Sequence, residues 1–212
     1  MIITLGHTKG GVGKSTLALN IAIERLRAGS DILLIDGDQR QTSVSKAAGI
    51  RSDAGVTPTL PCVVLDDVRS FRQQVTLLKQ KYSDLVIDVG GRDTSILRAA
   101  LTVTDVFLLP IAPESVEIWA IEDVIQIVRE ARSIRDFRVF SILNRAKPSG
   151  RDNADTIAVI REYTDIEIIP GSIGSRGAFS SAFGRGLSIA EYRPPNPKAI
   201  QEITSLLKAL YS

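Results

Sequence analysis

Short runs of Ile, Leu and Val alternate along this 212-residue chain with stretches whose apolar residues recur every three or four positions. The runs are nearly continuous in apolar residues, as strands buried on both faces should be. They fall at Ile2–Gly6, Asp31–Asp36, Cys62–Leu65, Leu85–Val89, Val106–Pro110, Val139–Leu143 and Glu167–Ile169. Helical periodicity is clearest where Ile118, Ile121, Ile125 and Val128 recur within Glu114–Arg132, and where Ile200, Ile203, Leu207 and Leu210 recur near the C-terminus. Further helices are predicted over Lys14–Ala28, Val68–Lys81 and Asp152–Tyr163. Strands alternating with helices in this way predict an α/β fold, a doubly wound and mainly parallel sheet flanked by helices. No repeat, low-complexity tract or Pro/Gly-rich linker divides the sequence, so one domain over residues 1–212 is expected. Two segments fit this scheme poorly. Arg51–Pro61 reads as an exposed connection. Gly171–Gly186 is rich in Gly, Ser and Arg, with Ala178, Phe179, Ala182 and Phe183 forming a short helical stripe; long, partly irregular segments in compact domains are often functional.

The first chemical signal sits between the first strand and the first helix, at Thr8-Lys9-Gly10-Gly11-Val12-Gly13-Lys14-Ser15-Thr16. Strand, glycine-rich turn and helix in that order make a phosphate cradle. Glycines let backbone N–H groups approach phosphate oxygens, Lys14 can reach the β- and γ-phosphates, and the Ser15 hydroxyl can ligate Mg²⁺. The generic motif wants glycine where this chain has Thr8, and Lys9 stands directly before the paired glycines. K-G-G-x-G-K-[ST] is the deviant Walker A box, a narrower signature than the generic one.

Two acidic strand ends follow. Ile32-Leu33-Leu34-Ile35-Asp36-Gly37-Asp38 is an apolar strand closing on two carboxylates. Strand alternation would put Asp36 and Asp38 on one side, at the carboxyl end where ligand crevices of parallel sheets lie. Leu85-Val86-Ile87-Asp88-Val89-Gly90-Gly91 has the Walker B pattern. There Asp88 would hold Mg²⁺ through a water, and Gly90 and Gly91 would let the next loop respond to the γ-phosphate.

On these residues the chain resembles the ParA/MinD group of dimerising P-loop ATPases, and within it the small ParA-type partition proteins. The resemblance implies a P-loop NTPase-type fold, ATP and Mg²⁺ as cofactors, and hydrolysis to ADP and phosphate. It implies nucleotide contacts from Lys9, Gly10, Gly11, Val12, Gly13, Lys14, Ser15 and Thr16, and a metal site at Ser15, Asp36 and Asp88. Catalysis would rest on Lys9, Lys14 and Asp38. Asp38 would position the attacking water, and Lys9 would cross a homodimer interface to the partner's phosphates, by logic like an arginine finger supplied in trans. Val139-Phe140-Ser141-Ile142-Leu143-Asn144-Arg145 looks like the family's strand ending in Asn-Arg, in which the Asn144 amide would read the adenine edge; an Asn at a strand end is also a common turn former.

The biological output is less sharply written. The resemblance implies nonspecific DNA bound by the ATP dimer and a ParB-like or small centromere-binding adaptor protein that stimulates hydrolysis. Arg145, Arg176 and Arg185 are the DNA-contact candidates, touching phosphates without reading sequence. The formal charge of +2 and pI near 8.8 are only mildly basic, so DNA affinity would have to come from a local patch. Asp36-Gly37-Asp38-Gln39-Arg40-Gln41 departs from the D-x-D-P-Q common in plasmid ParA proteins. That form looks like the division-site-positioning relative MipZ, so positioning of the division plane or a protein cargo is the alternative. Membrane targeting of the MinD kind is disfavoured, because the C-terminal helix carries Lys208 as its only base and an internal Glu202. Amidotransferase-like and biotin-pathway synthetases share the fold, but no catalytic constellation for them is visible.

Other residues narrow the picture. The single cysteine, Cys62, excludes an internal disulfide and a C-x-x-C pair and reads as a small buried apolar residue. His7, the only histidine, has no partner for metal or catalytic work and reads as a packing and hydrogen-bonding residue. No secretory signal or bilayer-length apolar run is present, so a cytoplasmic, nucleoid-associated protein without an N-terminal DNA-reading module is expected.

Overall fold

The computed structural model describes residues 1–38, 41–91, 94–113, 118–148 and 151–212, apart from the side chains of Ile118 and Trp119. Seven parallel strands form one sheet in the order β3-β2-β4-β1-β5-β6-β7. They are β1 Ile2–Leu5, β2 Ile32–Asp36, β3 Cys62–Val64, β4 Asp84–Asp88, β5 Val106–Ile111, β6 Arg138–Ala146 and β7 Glu167–Gly174. The helices are α1 Lys14–Arg27, α2 Ser43–Asp53, α3 Val68–Lys79, α4 Thr94–Leu101, α5 Ile118–Arg132, α6 Asp152–Ile160, α7 Gly177–Phe183 and α8 Pro197–Leu210. The expected helix start at Glu114 lies outside the described residues.

The near-continuous apolar runs have their reason in two separate cores. Successive strand residues point to opposite faces. Ile3, Leu5, Leu34, Val86 and Leu108 pack with α1, α2, α7 and α8. Ile2, Leu33, Ile35, Ile87, Phe107 and Leu109 pack under α3, α4, α5 and α6. Central β1 lies between β4 and β5, so the chain winds away from it in both directions and a crevice opens at the carboxyl ends of the strands. Pro110 is tolerated in an inner strand because β1 has already ended beside it. The β1–β5 pairing stops at Leu5↔Leu108, and Pro110 pairs only with Ile142 of β6.

Four expectations need correction. Arg51–Pro61 is not simply an exposed connection, because residues 51–53 finish α2 and Arg51 is fully buried. Its guanidinium is paired with Glu191, 140 residues away, which removes the usual cost of burying a charge. β6 runs on through Asn144 and Arg145, absorbing a positive φ of 56° at Arg145 with a register shift. β7 continues past Pro170 and Gly171 to Gly174, which an edge strand allows because one row of its N–H groups has no ladder partner to serve. Cys62 is half-buried on edge strand β3, with its thiol pushed up to about 12 by burial, so it is unreactive.

Candidate nucleotide site

The P-loop rises from the end of β1 and turns into α1 through two residues with positive φ, Gly11 (83°) and Gly13 (90°). Both conformations suit glycine, and α1 then presents its free N–H groups and positive dipole end to a cleft of about 880 Å³. Gly10, Gly11, Gly13, Lys14, Ser15 and Thr16 line that cleft, while Val12 is buried beneath it. His7 is fully buried and neutral, its imidazole pushed down to about 3 by burial and by the charges of Lys14 and Lys9. Its Nδ1 accepts the Lys9 backbone N–H at 3.0 Å, so the ring fixes the start of the loop.

Lys14 is buried, and its Nζ donates to the Lys9 carbonyl at 2.9 Å. Burial lowers its pKa, and the carboxylates of Asp88 and Asp38 oppose the shift. Asp88, at the end of β4, is pushed up to about 7 by burial, against a hydrogen bond from Ser15 and the charge of Lys14. Its Oδ1 is buried and has no hydrogen-bond partner. A hydroxyl and a bare carboxylate oxygen side by side make a hard-oxygen environment suited to Mg²⁺, which commonly takes few protein ligands and keeps its waters. Among the described residues no group of three or more His, Cys, Asp or Glu side chains is placed to hold a metal ion.

Asp36 and Asp38 differ in burial and in role. The strand ends at Asp36. Asp36 is fully buried; its Oδ1 accepts the Asp38 N–H and its Oδ2 the Ser45 N–H, both at 3.0 Å. It therefore braces the turn and the start of α2, and burial raises its pKa despite those bonds. Asp38 faces the cleft, with Oδ1 accepting the Gln41 N–H at 3.0 Å. Gln39 and Arg40 lie outside the described residues.

The two glycines after Asp88 are needed for space. A Cβ on Gly90 would lie 2.7 Å from the Asp38 carboxyl carbon, and one on Gly91 would lie 2.4 Å from the Lys9 carbonyl oxygen. The Walker B turn, the Asp38 loop and the P-loop are thus in close contact.

At the other end of the cleft, Asn144 is buried, and its Nδ2 donates to the Val12 carbonyl at 2.6 Å. Its amide nitrogen is committed to anchoring the P-loop, while the residue borders an adjoining hollow of about 340 Å³ shared with Gly174, Ser175 and Phe179. Arg145 is exposed, and its guanidinium reaches Gly11 O at 2.7 Å, so it belongs to the P-loop surroundings. Arg176 is ion-paired with Glu202 at 2.6 Å. Arg185 is exposed and stacks over Tyr192, 5.5 Å from the ring centroid. Of the three candidate DNA contacts, Arg185 alone is engaged by neither a carboxylate nor a loop carbonyl among the described residues. Sequence reading missed Gln41, Ser43 and Phe183 in the cleft wall and Ser45 on Asp36. Phe183 left a trace as part of the short helical stripe and Gln41 as the end of the Asp36–Gln41 motif; Ser43 and Ser45 left none.

Sheet order, P-loop and acidic strand ends together define a P-loop nucleotide-binding protein of the ParA/MinD type. Residues 1–158 match the family model for ATPase MipZ, and the chain belongs to that family. It is 22% identical over 208 residues to the maintenance of carboxysome distribution protein A of Halothiobacillus neapolitanus, covering 97% of this chain and 94% of that protein. It is 24% identical over 193 residues to Protein ParA of Rhizobium radiobacter, covering 87% and 83%. Among solved structures, the septum site-determining protein MinD complexed with Mg-ADP from Pyrococcus horikoshii OT3 shares the fold. Its TM-score is 0.79 over 99% of this chain and 95% of that one, at 21% identity.

Two outcomes follow from this geometry. Gly91→Ala should force the P-loop away from the Walker B turn and weaken ATP binding roughly tenfold, about 1.4 kcal/mol, in a fluorescent-nucleotide titration; unchanged affinity would show that the contact does not shape the cradle. Because burial raises the Asp88 pKa, the folded chain holds that proton more tightly than the unfolded one. The resulting stability is complete below the ordinary carboxylate range and is lost as pH rises through about 7. In urea unfolding without nucleotide, Asp88→Asn should therefore gain stability relative to wild type between about pH 5 and about pH 8. A difference that ignores pH would contradict the assignment.

Proposed function

We propose that this chain is a Mg²⁺-dependent ATPase acting as a dimerising spatial switch. ATP-bound pairs hold nonspecific DNA and release it when a partner protein, of the ParB-like or small centromere-binding kind, accelerates hydrolysis. The observation that carries the reading is the meeting of the P-loop, Asp38 and the Gly90-Gly91 turn around one cleft, with buried Asp88 hydrogen-bonded to Ser15 of its wall. P-loop amides and Lys14 would hold the phosphates, and Ser15 and Asp88 would hold Mg²⁺, which supplies charge neutralisation at the β- and γ-oxygens. Asp36 would act from below by fixing the turn that aims Asp38 at the attacking water. The base would sit in the hollow beside Asn144, and Lys9 would reach the phosphates of the partner copy. The Mg-ADP complex of the Pyrococcus horikoshii MinD, which has the same fold, supports this choice of ligand.

The output reading rests on Arg185 and on the likeness to Protein ParA. A second output, positioning of a protein cargo or the division plane, is favoured by the relative named for carboxysome distribution and by the ion pairing of Arg176. No described helix is long and apolar enough to cross a membrane. The apolar stripe of α8, with Ala199, Ile203, Leu206 and Leu210 buried, is occupied by the sheet.

Asp38→Ala should keep ATP affinity but lower turnover roughly 100-fold or more, leaving a persistent dimer in size-exclusion chromatography with ATP; wild-type turnover would remove Asp38 from the chemistry. Arg185→Glu should weaken ATP-dependent DNA retention and flatten its salt dependence by about one unit of log–log slope per lost contact, with nucleotide affinity unchanged. If retention stays intact, the DNA surface lies elsewhere; if wild type shows none, the cargo reading gains.

A further inference from the structure

Two helices leave the nucleotide cleft on the same face of the sheet, and both end on one short segment of the C-terminal region. α1 starts at Lys14. α2 starts just beyond the Asp38 loop, tied to it by the Ser45 N–H on Asp36. Near the far end of α2, the fully buried Arg51 donates to both oxygens of Glu191, at 2.7 and 2.8 Å. It also donates to the carbonyls of Gly186 at 3.2 Å and Pro58 at 3.0 Å. Gly186, with φ of 65°, lies flush on the helix; a Cβ there would sit 2.4 Å from Ala47 O and 2.6 Å from Arg51 N. α1 grips the same segment. Asn20 Oδ1 accepts the Ile189 N–H at 2.8 Å, while its Nδ2 donates to Thr16 O at 2.8 Å, one turn from the P-loop. The Ser188 hydroxyl donates to Glu24 at 2.6 Å.

Two useful residues lie at the start of the gripped segment. Phe183, just before it, forms part of the cleft wall, and Arg185 projects from the surface over Tyr192. The segment lies beyond residue 158, where the family match ends. A buried ion pair adds little net stability compared with apolar residues of the same volume. A bidentate guanidinium–carboxylate contact is, however, strict about distance and angle, so it fixes the segment in register with α2.

We propose that Arg51 and Glu191 are a positioning pair that couples the nucleotide cleft to the surface formed by residues 184–192. When the Asp38 loop engages nucleotide, α2 adjusts, and the paired carboxylate and the flush Gly186 carry the segment with it. This rests on the ATP reading given above. Arg185 is thereby presented differently with and without nucleotide, although neither Arg51 nor Glu191 touches ATP.

Hydrogen exchange of the full chain, with Mg²⁺ and a nonhydrolysable ATP analogue, tests this. In wild type, nucleotide should slow exchange both at residues 10–20 and at residues 184–192, by about tenfold at the latter. In the paired variant Arg51→Met with Glu191→Met, which removes both charges and keeps volume, protection at 10–20 should persist while the response at 184–192 disappears. A 184–192 response of wild-type size in that variant would overturn the coupling and leave the pair a packing feature. So would a wild-type segment that ignores nucleotide while the P-loop becomes protected. Absence of protection at the wild-type P-loop would overturn the ATP reading and the coupling with it.

Discussion

Backbone meets backbone where Gly91 touches Lys9 and Gly10, and the site depends on that contact. Three loops from three adjacent strands must come within a few ångströms to surround a triphosphate; a single methyl group at Gly91 would part the P-loop from the Walker B turn, and one at Gly90 would displace the Asp38 carboxylate. The parallel sheet makes the meeting possible by placing the ends of β1, β2 and β4 side by side. The register Leu5↔Asp88 and Asp36↔Asp88 brings the three departure points level.

Around that contact, charge is distributed so that few groups are free to move. Lys14 is held by a carbonyl, Asp36 by two amides, and His7 is kept neutral by its surroundings. Two buried atoms near the cleft have no hydrogen-bond partner among the described residues, Nε2 of His7 and the Oδ1 of Asp88, and the second belongs to a carboxylate. Such an atom is costly unless something positive belongs beside it. The arrangement is that of a site built rigid in advance, in which a ligand finds donors already aimed.

Much of this was legible because the informative residues are close in sequence. The strands declare themselves by apolar runs, and the P-loop and the two acidic strand ends each fit within nine residues. What escaped depends on distant partners or weak local signals. α2 reads poorly because Ser, Gly and Ala dominate it and only Val44, Ala47 and Ala48 supply its buried apolar side. Arg51 looks like a surface residue until Glu191 is placed against it. The contacts of Asn144 and Arg145 to P-loop carbonyls, those of Val12 and Gly11, span more than 130 residues and leave no local sign. What the sequence could not separate is the roles of Asp36 and Asp38: the first is buried on two backbone amides and the second lines the cleft.

The borders of the sheet have a consequence of their own. On one side lies β3, three residues long and led in by Pro61; on the other lies β7, interrupted by Pro170 and by Gly171 with φ of 95°. Short, kinked borders with missing N–H groups are poor templates for another chain's strand. Ribbon-wise growth, in which sheets of neighbouring molecules fuse into one, is therefore blocked at both flanks. A molecule with such flanks can associate through its loops or helices and come apart again, without the run-on strand pairing that leads to fibres.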